Sequence, residues 1–423
     1  MKSRDDKTHD PARRAFLGAA AASSAALAAG AARAAGPDPL ITEVQPWASE
    51  FGDPVDASPY GMPIHFESQV VRRNVEWLTE SPVSSINFTP IHALEGTITP
   101  AGCAFERHHS GAIELSKTDY RLMITGLVDR PLVFTYEDLT RFPRQSRVAF
   151  LECAANGGME WGGAQLEGCQ FTQGMIHNME YVGVPLSALL EEAGVRPEGK
   201  WIYFEGADAS SNGRSIPLEK AMEDVLIAFY ANGEALRKEH GYPVRAVVPG
   251  WEGNLWVKWL RRISVYDQAV ESREETSKYT DLMPDGRARK WTWVMDAKSV
   301  ITSPSPQAPI YHGPGPLVIT GLAWSGHGRI RRVDVSLDGG KSWQEAEIEG
   351  DPQPKALTRF RLPIQWDGSE MILQSRAMDE TGYVQPTKDA LRAIRGLNNV
   401  YHNNGIQTWW VRASGEVENV EVG

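Results

Sequence analysis

Cysteine is scarce in this chain, and the patterns missing around it narrow the chemistry. The 423 residues hold three cysteines, Cys103, Cys153 and Cys169. None falls in a Cys-x-x-Cys pair or a Cys-x-x-Cys-His run, which argues against a zinc ribbon and against covalently attached haem. No G-x-x-x-x-G-K-[ST] occurs, so the phosphate-cradling loop of nucleotide hydrolases is missing. Beyond residue 34 no apolar run is long enough to span a bilayer. Positive charge is also short: 43 Lys/Arg stand against 54 Asp/Glu, a net charge of −11. Residues 1–34 carry six Lys/Arg and three Asp/Glu, so the rest of the chain is more acidic than the whole. Such a body does not suit general nucleic-acid binding, which needs cations to neutralise phosphates. It suits solubility, or docking to a basic protein.

The first 34 residues read as a targeting segment. Arg13-Arg14 precedes an Ala-rich apolar run to Gly30, and Ala32-Arg33-Ala34 offers a small-residue cleavage pattern. Paired arginines specify the twin-arginine export route, so the mature protein is expected in the periplasm. An oxidising compartment favours paired cysteines, and an odd count leaves one thiol over. Cys103 and Cys169 either pair or sit buried and reduced.

Cys153 follows Arg147–Phe150, a short run of strand character, and leads into Asn156-Gly157-Gly158. Residues of that type tolerate positive φ and close backbone approach. The cysteine therefore sits at a strand end, at the mouth of a tight loop. It reads either as a small buried hydrophobe or as a held thiolate, since a metal both deprotonates and protects a thiol. Further along, Phe105-Glu106-Arg107-His108-His109 reads as extended, with Arg107 and His109 on one face and able to hold an anion. His240–Val265 mixes apolar strand pieces with Pro-Gly and Gly-Asn turns and places His240, Arg245 and Lys258 at strand ends or in loops. Cationic donors in Gly-rich loops suit a phosphate or pyrophosphate.

The alternation of Asp119–Gly126 predicts a strand, and Thr135–Arg141 a short capped helix with Thr135 as cap. Val184–Ala193 reads as a helix ended by Gly194, and Trp201–Glu205 as a strand. Ser215–Leu218 leads into a helix, and Val225–Tyr230 is a strand turned by Asn232-Gly233. Residues 35–84 read as an extended arm. Ser299–Pro316 is Pro-rich and reads as a linker. Short alternating strands then follow, with turns at Asp338-Gly339-Gly340 and Asp367-Gly368, the pattern of an immunoglobulin-like sandwich.

Several separated blocks agree in order and spacing with one family. Phe105–His109, Leu151-Glu152-Cys153-Ala154-Ala155-Asn156-Gly157, Glu205-Gly206-Ala207-Asp208, Ser215–Leu218, His240–Gly250 and Val257-Lys258-Trp259-Leu260 resemble the sulfite oxidase family of molybdopterin enzymes over about residues 85–415. The blocks at 158–171 and 174–178 are most similar to the molybdenum subunits of sulfane dehydrogenases. The resemblance implies an α+β fold. A signal peptide (1–34) and an arm (35–84) precede a molybdopterin-binding catalytic domain (85–298), and an all-β immunoglobulin-like dimerisation domain (299–423) follows.

It also implies roles. The Cys153 thiolate is expected to ligate molybdenum beside the pterin dithiolene. Phe105, Glu106, Arg107, His108, His109, Asp208, His240, Arg245, Trp256, Val257 and Lys258 match cofactor-binding positions, and Arg107 also faces the substrate oxyanion. Tyr279, in Ser277–Asp281, falls at the spacing of the active-site tyrosine. Arg395, in Ile394–Leu397, resembles an arginine supporting the anion pocket. Read on their own, Tyr279 is a surface aromatic and Arg395 a strand-end ion-pair residue.

The implied activity is oxidation of sulfane sulfur on a carrier protein to a sulfonate, with water as oxygen source. Electrons pass to a c-type cytochrome subunit, and two catalytic subunits dimerise within a heterotetramer. No haem is expected in this chain. The alternatives are direct sulfite dehydrogenation, reduction of nitrate or a sulfoxide on the same fold, and, in a different class, a non-catalytic periplasmic binding subunit. One departure stands out. Gly158 lies where sulfite oxidases carry an arginine that helps hold sulfite. Losing that cation weakens binding of a small dianion and is expected to open space for a larger substrate.

Overall fold

The computed structural model describes residues 61, 63–76 and 81–422. The targeting segment and most of the expected arm lie outside the described residues. Residues 1–67 and 68–423 form two compact units. The first contributes a single 3-10 turn, His65–Glu67.

The second unit begins with two interleaved sheets. Strands β1 (Arg121–Gly126) and β2 (Leu132–Thr135) lead into α1 (Tyr136–Thr140). The Thr135 hydroxyl caps the Asp138 N–H, and the Asp138 carboxylate accepts the Thr135 N–H, so both orphan donors of the first turn are satisfied. Then come β3 (Gln145–Glu152), α2 (Cys169–Gln173), β4 (Ile176–Pro185), α3 (Leu186–Ala193), β5 (Trp201–Gly206), β6 (Gly213–Pro217), α4 (Leu218–Glu223), β7 (Leu226–Ala231) and β8 (Glu234–Ala235). Strands β9 (Arg245–Val247) and β10 (Leu260–Tyr266) close this half. One sheet runs β2-β1-β10-β5-β6, with β1 and β10 parallel. The other runs β3-β4-β7-β8, with β9 on β7. Their apolar faces share one core, in which Leu122, Ile124, Ile202, Phe204, Ile227 and Ile263 are fully buried.

A short helix α5 (Arg273–Thr276) and the hairpin β11 (Thr280–Leu282), β12 (Ala288–Lys290) connect to the second half. There β13 (Lys298–Ser303), β14 (Gly315–Trp324), β15 (Ile330–Ser336), β16 (Gln344–Glu345), β17 (Glu347–Ile348), β18 (Thr358–Trp366), β19 (Met371–Asp379), α6 (Lys388–Arg395), β20 (Thr408–Val411) and β21 (Val417–Val420) follow. Sheets β13-β14-β18-β17 and β16-β15-β19-β20-β21 face each other across a second core, the expected sandwich.

The expected linker at Ser299–Pro316 is a correction. Residues Ser299–Thr302 are buried in β13, a strand paired antiparallel with β14. Pro304, Pro306, Pro309 and Pro314 fall beyond the end of β13, where a missing N–H costs no ladder bond, and Pro316 is the second residue of β14. The second core also includes Ile91, Phe150, Cys169 and Ile176 of the first half, so the two halves share apolar packing. Cys103, Cys153 and Cys169 are all free, which settles the open pairing in favour of reduced thiols.

Candidate active site

Strand β3 delivers Glu152 and Cys153 to the edge of the first half. The loop beyond turns on Gly157 in the left-handed region, φ 80°, where a Cβ would be strained. Cys153 N–H donates to the Met175 carbonyl at 3.0 Å, fixing the strand end against the start of β4. The thiol lines a cleft of about 750 Å³ that is open to solvent.

The cleft brings together segments far apart in the chain. Phe105, Glu106, Arg107, His108 and His109 line one wall, with Asp208, His240, Arg245, Trp256, Lys258 and Tyr279 on the others. Nearly every residue singled out from sequence is therefore here. Two are not. Val257 is buried behind the wall and does not face the cleft. Arg395 is buried as well, and its guanidinium is already neutralised by Asp281 at 2.9 Å, with Asp296 at 3.9 Å. It stands behind Tyr279 rather than in the anion pocket, holding the strand that begins one residue after the tyrosine.

The wall is wired rather than loosely charged. Lys258 Nζ donates to the carbonyls of Arg107 and Glu239, each at 3.0 Å, and lies 2.9 Å from His108 Nδ1. His108 Nε2 lies 2.6 Å from Glu106. This hydrogen bond is the main cause that holds the Glu106 carboxyl at about 2. Arg245 donates to the carbonyls of His240 at 3.0 Å and Trp256 at 2.8 Å. Asp208 accepts the Ser110 hydroxyl at 2.9 Å. Tyr279 sits at φ 51°, its hydroxyl 3.5 Å from His109 Nε2 and its ring 5.0 Å from that of Tyr401.

Burial and crowding of like charge dominate the titrations. Burial, then the field of Arg245, drags Lys258 down to about 7. Burial, then Arg107, takes His109 to about 4. His177 and His240 lie well below the ordinary histidine range, chiefly through burial. Burial also raises the Cys153 thiol, against the pull of the Ala155 N–H and Arg107. Burial, more than charge, thus pushes the lysine and histidines of the cleft towards their neutral forms.

Residues that sequence reasoning left unassigned complete the lining: His177, Ser210, Asn212, Glu239, Asn254 and Trp259. His177 Nδ1, Asn212 Oδ1 and Trp259 Nε1 are buried without a partner, although buried polar atoms are nearly always paired. His177 falls in the 174–178 block, and its placement inside an apolar strand was the available signal. Unpaired donors and acceptors, the cations Arg107, Arg245 and Lys258, and a lone thiol fit an anionic, phosphate-bearing pterin whose metal the sulfur would hold.

Gly158 corrects an expectation. It does not line the cleft, and a Cβ there would meet the Val400 carbonyl at 2.5 Å. The missing arginine leaves no hole, because the 400–403 segment fills its place.

Residues 109–274 match the family described as oxidoreductase molybdopterin binding domain, and residues 289–409 the Mo-co oxidoreductase dimerisation domain. The crystal structure of the sulfane dehydrogenase SoxCD from Paracoccus pantotrophus contains a chain 82% identical to this one, with a TM-score of 0.91, covering 92% of this chain and 100% of that one. Sulfite oxidase of Gallus gallus is 34% identical over 344 residues, 75% of this chain and 73% of its own length. Mitochondrial sulfite oxidase of Mus musculus is 34% identical over 343 residues, 74% of this chain and 62% of its own length.

Proposed function

Because the chain belongs to the sulfite oxidase family of molybdopterin oxidoreductases, we propose that it is the molybdenum subunit of a periplasmic sulfane dehydrogenase. The observation that carries this reading is the 82% identity to a chain of the SoxCD sulfane dehydrogenase over that chain's full length. The substrate is then a sulfane sulfur on a carrier protein, oxidised to a sulfonate with water as oxygen source. Electrons leave to a c-type cytochrome subunit, and two catalytic subunits dimerise through the sandwich. Export follows the twin-arginine route, which carries folded, cofactor-loaded proteins.

The bound molybdenum pterin supplies the oxygen transfer and the electron storage. The chain's residues do the rest. Cys153 gives the thiolate ligand, a soft donor whose raised pKa a metal overcomes. Arg245, Lys258 and His108, with the unpaired atoms of His177 and Asn212, bind and orient the pterin and its phosphate. Arg107 faces the cleft as the cation for a sulfur oxyanion, and Tyr279 offers a hydroxyl beside His109.

Molybdenum and pterin content of the native protein beside Cys153→Ser tests the ligand assignment, with about one metal per chain expected and activity lost in the variant. Turnover on a thiolated carrier protein against free sulfite tests the substrate. Efficient sulfite oxidation without carrier turnover would assign it as a sulfite dehydrogenase instead.

A further inference from the structure

Two glutamates bracket the cysteine loop, Glu152 before it and Glu160 after it, and both are buried. Each is held by a buried lysine from the second half. Lys298, the first residue of β13, donates to Glu152 Oε1 at 3.1 Å and to the Asn156 carbonyl at 3.1 Å. Lys388, the first residue of α6, donates to Glu160 Oε2 at 3.2 Å. Glu152 is saturated by two more donors, Asn156 Nδ2 at 2.9 Å and Trp324 Nε1 at 2.7 Å. The loop's own carbonyls are taken by the same half of the protein. His402 N–H donates to Ala154 at 2.7 Å, and Asn403 Nδ2 to Gly157 at 2.9 Å.

A buried ion pair is a poor device for stability alone, since well-packed apolar side chains often do as well. What an apolar pair cannot do is what Lys298 does. One ammonium bonds the side chain of the residue before the cysteine and the backbone carbonyl three residues after it. The bond ties together the two sides of the turn that presents the sulfur. It also brings the lysine nitrogen onto the residue that directly precedes the cysteine. Lys388 sits at the far end of the loop and bonds no atom between residues 153 and 158.

We propose that Lys298 is a positioning residue for the Cys153 sulfur, so that the sandwich half sets the geometry and electronic environment of the metal ligand. The proposal rests on Cys153 being that ligand. Partners one bond removed from a metal ligand commonly change affinity or activity by about 10–100-fold.

The test uses the molybdenum-loaded enzyme. Lys298→Met combined with Glu152→Gln removes the ammonium without leaving a buried carboxylate unpaired. Lys388→Met combined with Glu160→Gln is the matched control. The first variant is expected to show a shifted molybdenum EPR spectrum and a kcat lower by about tenfold or more, with KM within about twofold of native. The control is expected to lower the melting temperature while keeping the native spectrum and kcat. A native spectrum and kcat in the Lys298 variant overturn the proposal, as does an equal spectral shift in both. Should the double variant fail to load, Lys298→Arg retains the charge but alters its geometry, and a native spectrum there has the same force. A native enzyme without molybdenum, or with a signal indifferent to Cys153→Ser, defeats the ligand reading itself. A signal that needs Cys153 but ignores Lys298 defeats only this inference.

Discussion

Lys258 Nζ lies 2.9 Å from His108 Nδ1, while the other nitrogen of the same ring lies 2.6 Å from Glu106. The neighbours therefore choose the tautomer. An ammonium can only donate, so Nδ1 accepts and Nε2–H donates to the carboxylate. A proton on Nδ1 would confront the lysine, which agrees with the depressed pKa of His108, caused first by burial.

The same lysine gives the metal-free protein a pH signature. Its folded pKa of about 7 lies below the ordinary 10.5. Between those values the unfolded chain binds more protons, so this group makes stability rise with pH from about 7 towards 10.5. The penalty is complete below about 7. Denaturant midpoints across that window should climb in the cofactor-free protein and flatten in Lys258→Met. A slope unchanged by the substitution would show that the lysine is not the source. An anionic ligand restores the ammonium, so its binding should take up protons near pH 8, as read by calorimetry in two buffers.

Gly158→Arg should not create a sulfite pocket. The new Cβ meets the Val400 carbonyl at 2.5 Å, and backbone cannot swing aside as a side chain can. Overpacking of this kind costs about 1–3 kcal/mol. Gly158→Ala should already show most of the loss in urea melts, and neither variant should gain sulfite turnover.

Arg214 and Glu252 form a buried pair at 2.7 Å, with His402 on the second carboxylate oxygen at 3.1 Å. Burial works to raise Glu252, but Arg214, His402 and Asn254 together outweigh it and hold the carboxyl below its usual range. Removing one partner strands the other charge. Arg214→Met should cost about 3–5 kcal/mol, and Arg214→Met with Glu252→Gln should recover much of it. Equal losses in the single and double variants would contradict this coupling.

Three titratable thiols per chain are expected in the denatured, cofactor-free protein without reductant, and the same number with it. A gain of two thiols on reduction would mean that Cys103 and Cys169 pair after all, against their free state here.

Much of the site was legible in the sequence because its residues cluster in short blocks of distinctive chemistry. Phe105–His109 and His240–Lys258 each supply several lining residues within a few positions. Element ends were readable for a similar reason, since Gly194 stops a helix and Asn232-Gly233 a strand locally. What stayed hidden depends on distance in the chain. Nothing local in Lys298 or His402 announces a partner in the 152–156 loop. Gly158 showed a lost charge, but only the fold shows Val400 in its place. Arg395 was expected at the anion pocket, but it lies outside the cleft, and its ion pair with Asp281 is a property of packing that spacing does not carry.

The bonds from His402 and Asn403 to the cysteine loop also set an order of events in synthesis. Chains fold from the N-terminal end as they leave the ribosome. Cys153 emerges early, but the groups that take the carbonyls of Ala154 and Gly157 are made some 250 residues later. A truncated chain would carry the thiol without the groups that hold it. The segment between α6 and β20 thus supplies the last bonds that the cysteine loop needs. The turn that presents the sulfur is therefore complete only once residues 402 and 403 are in place.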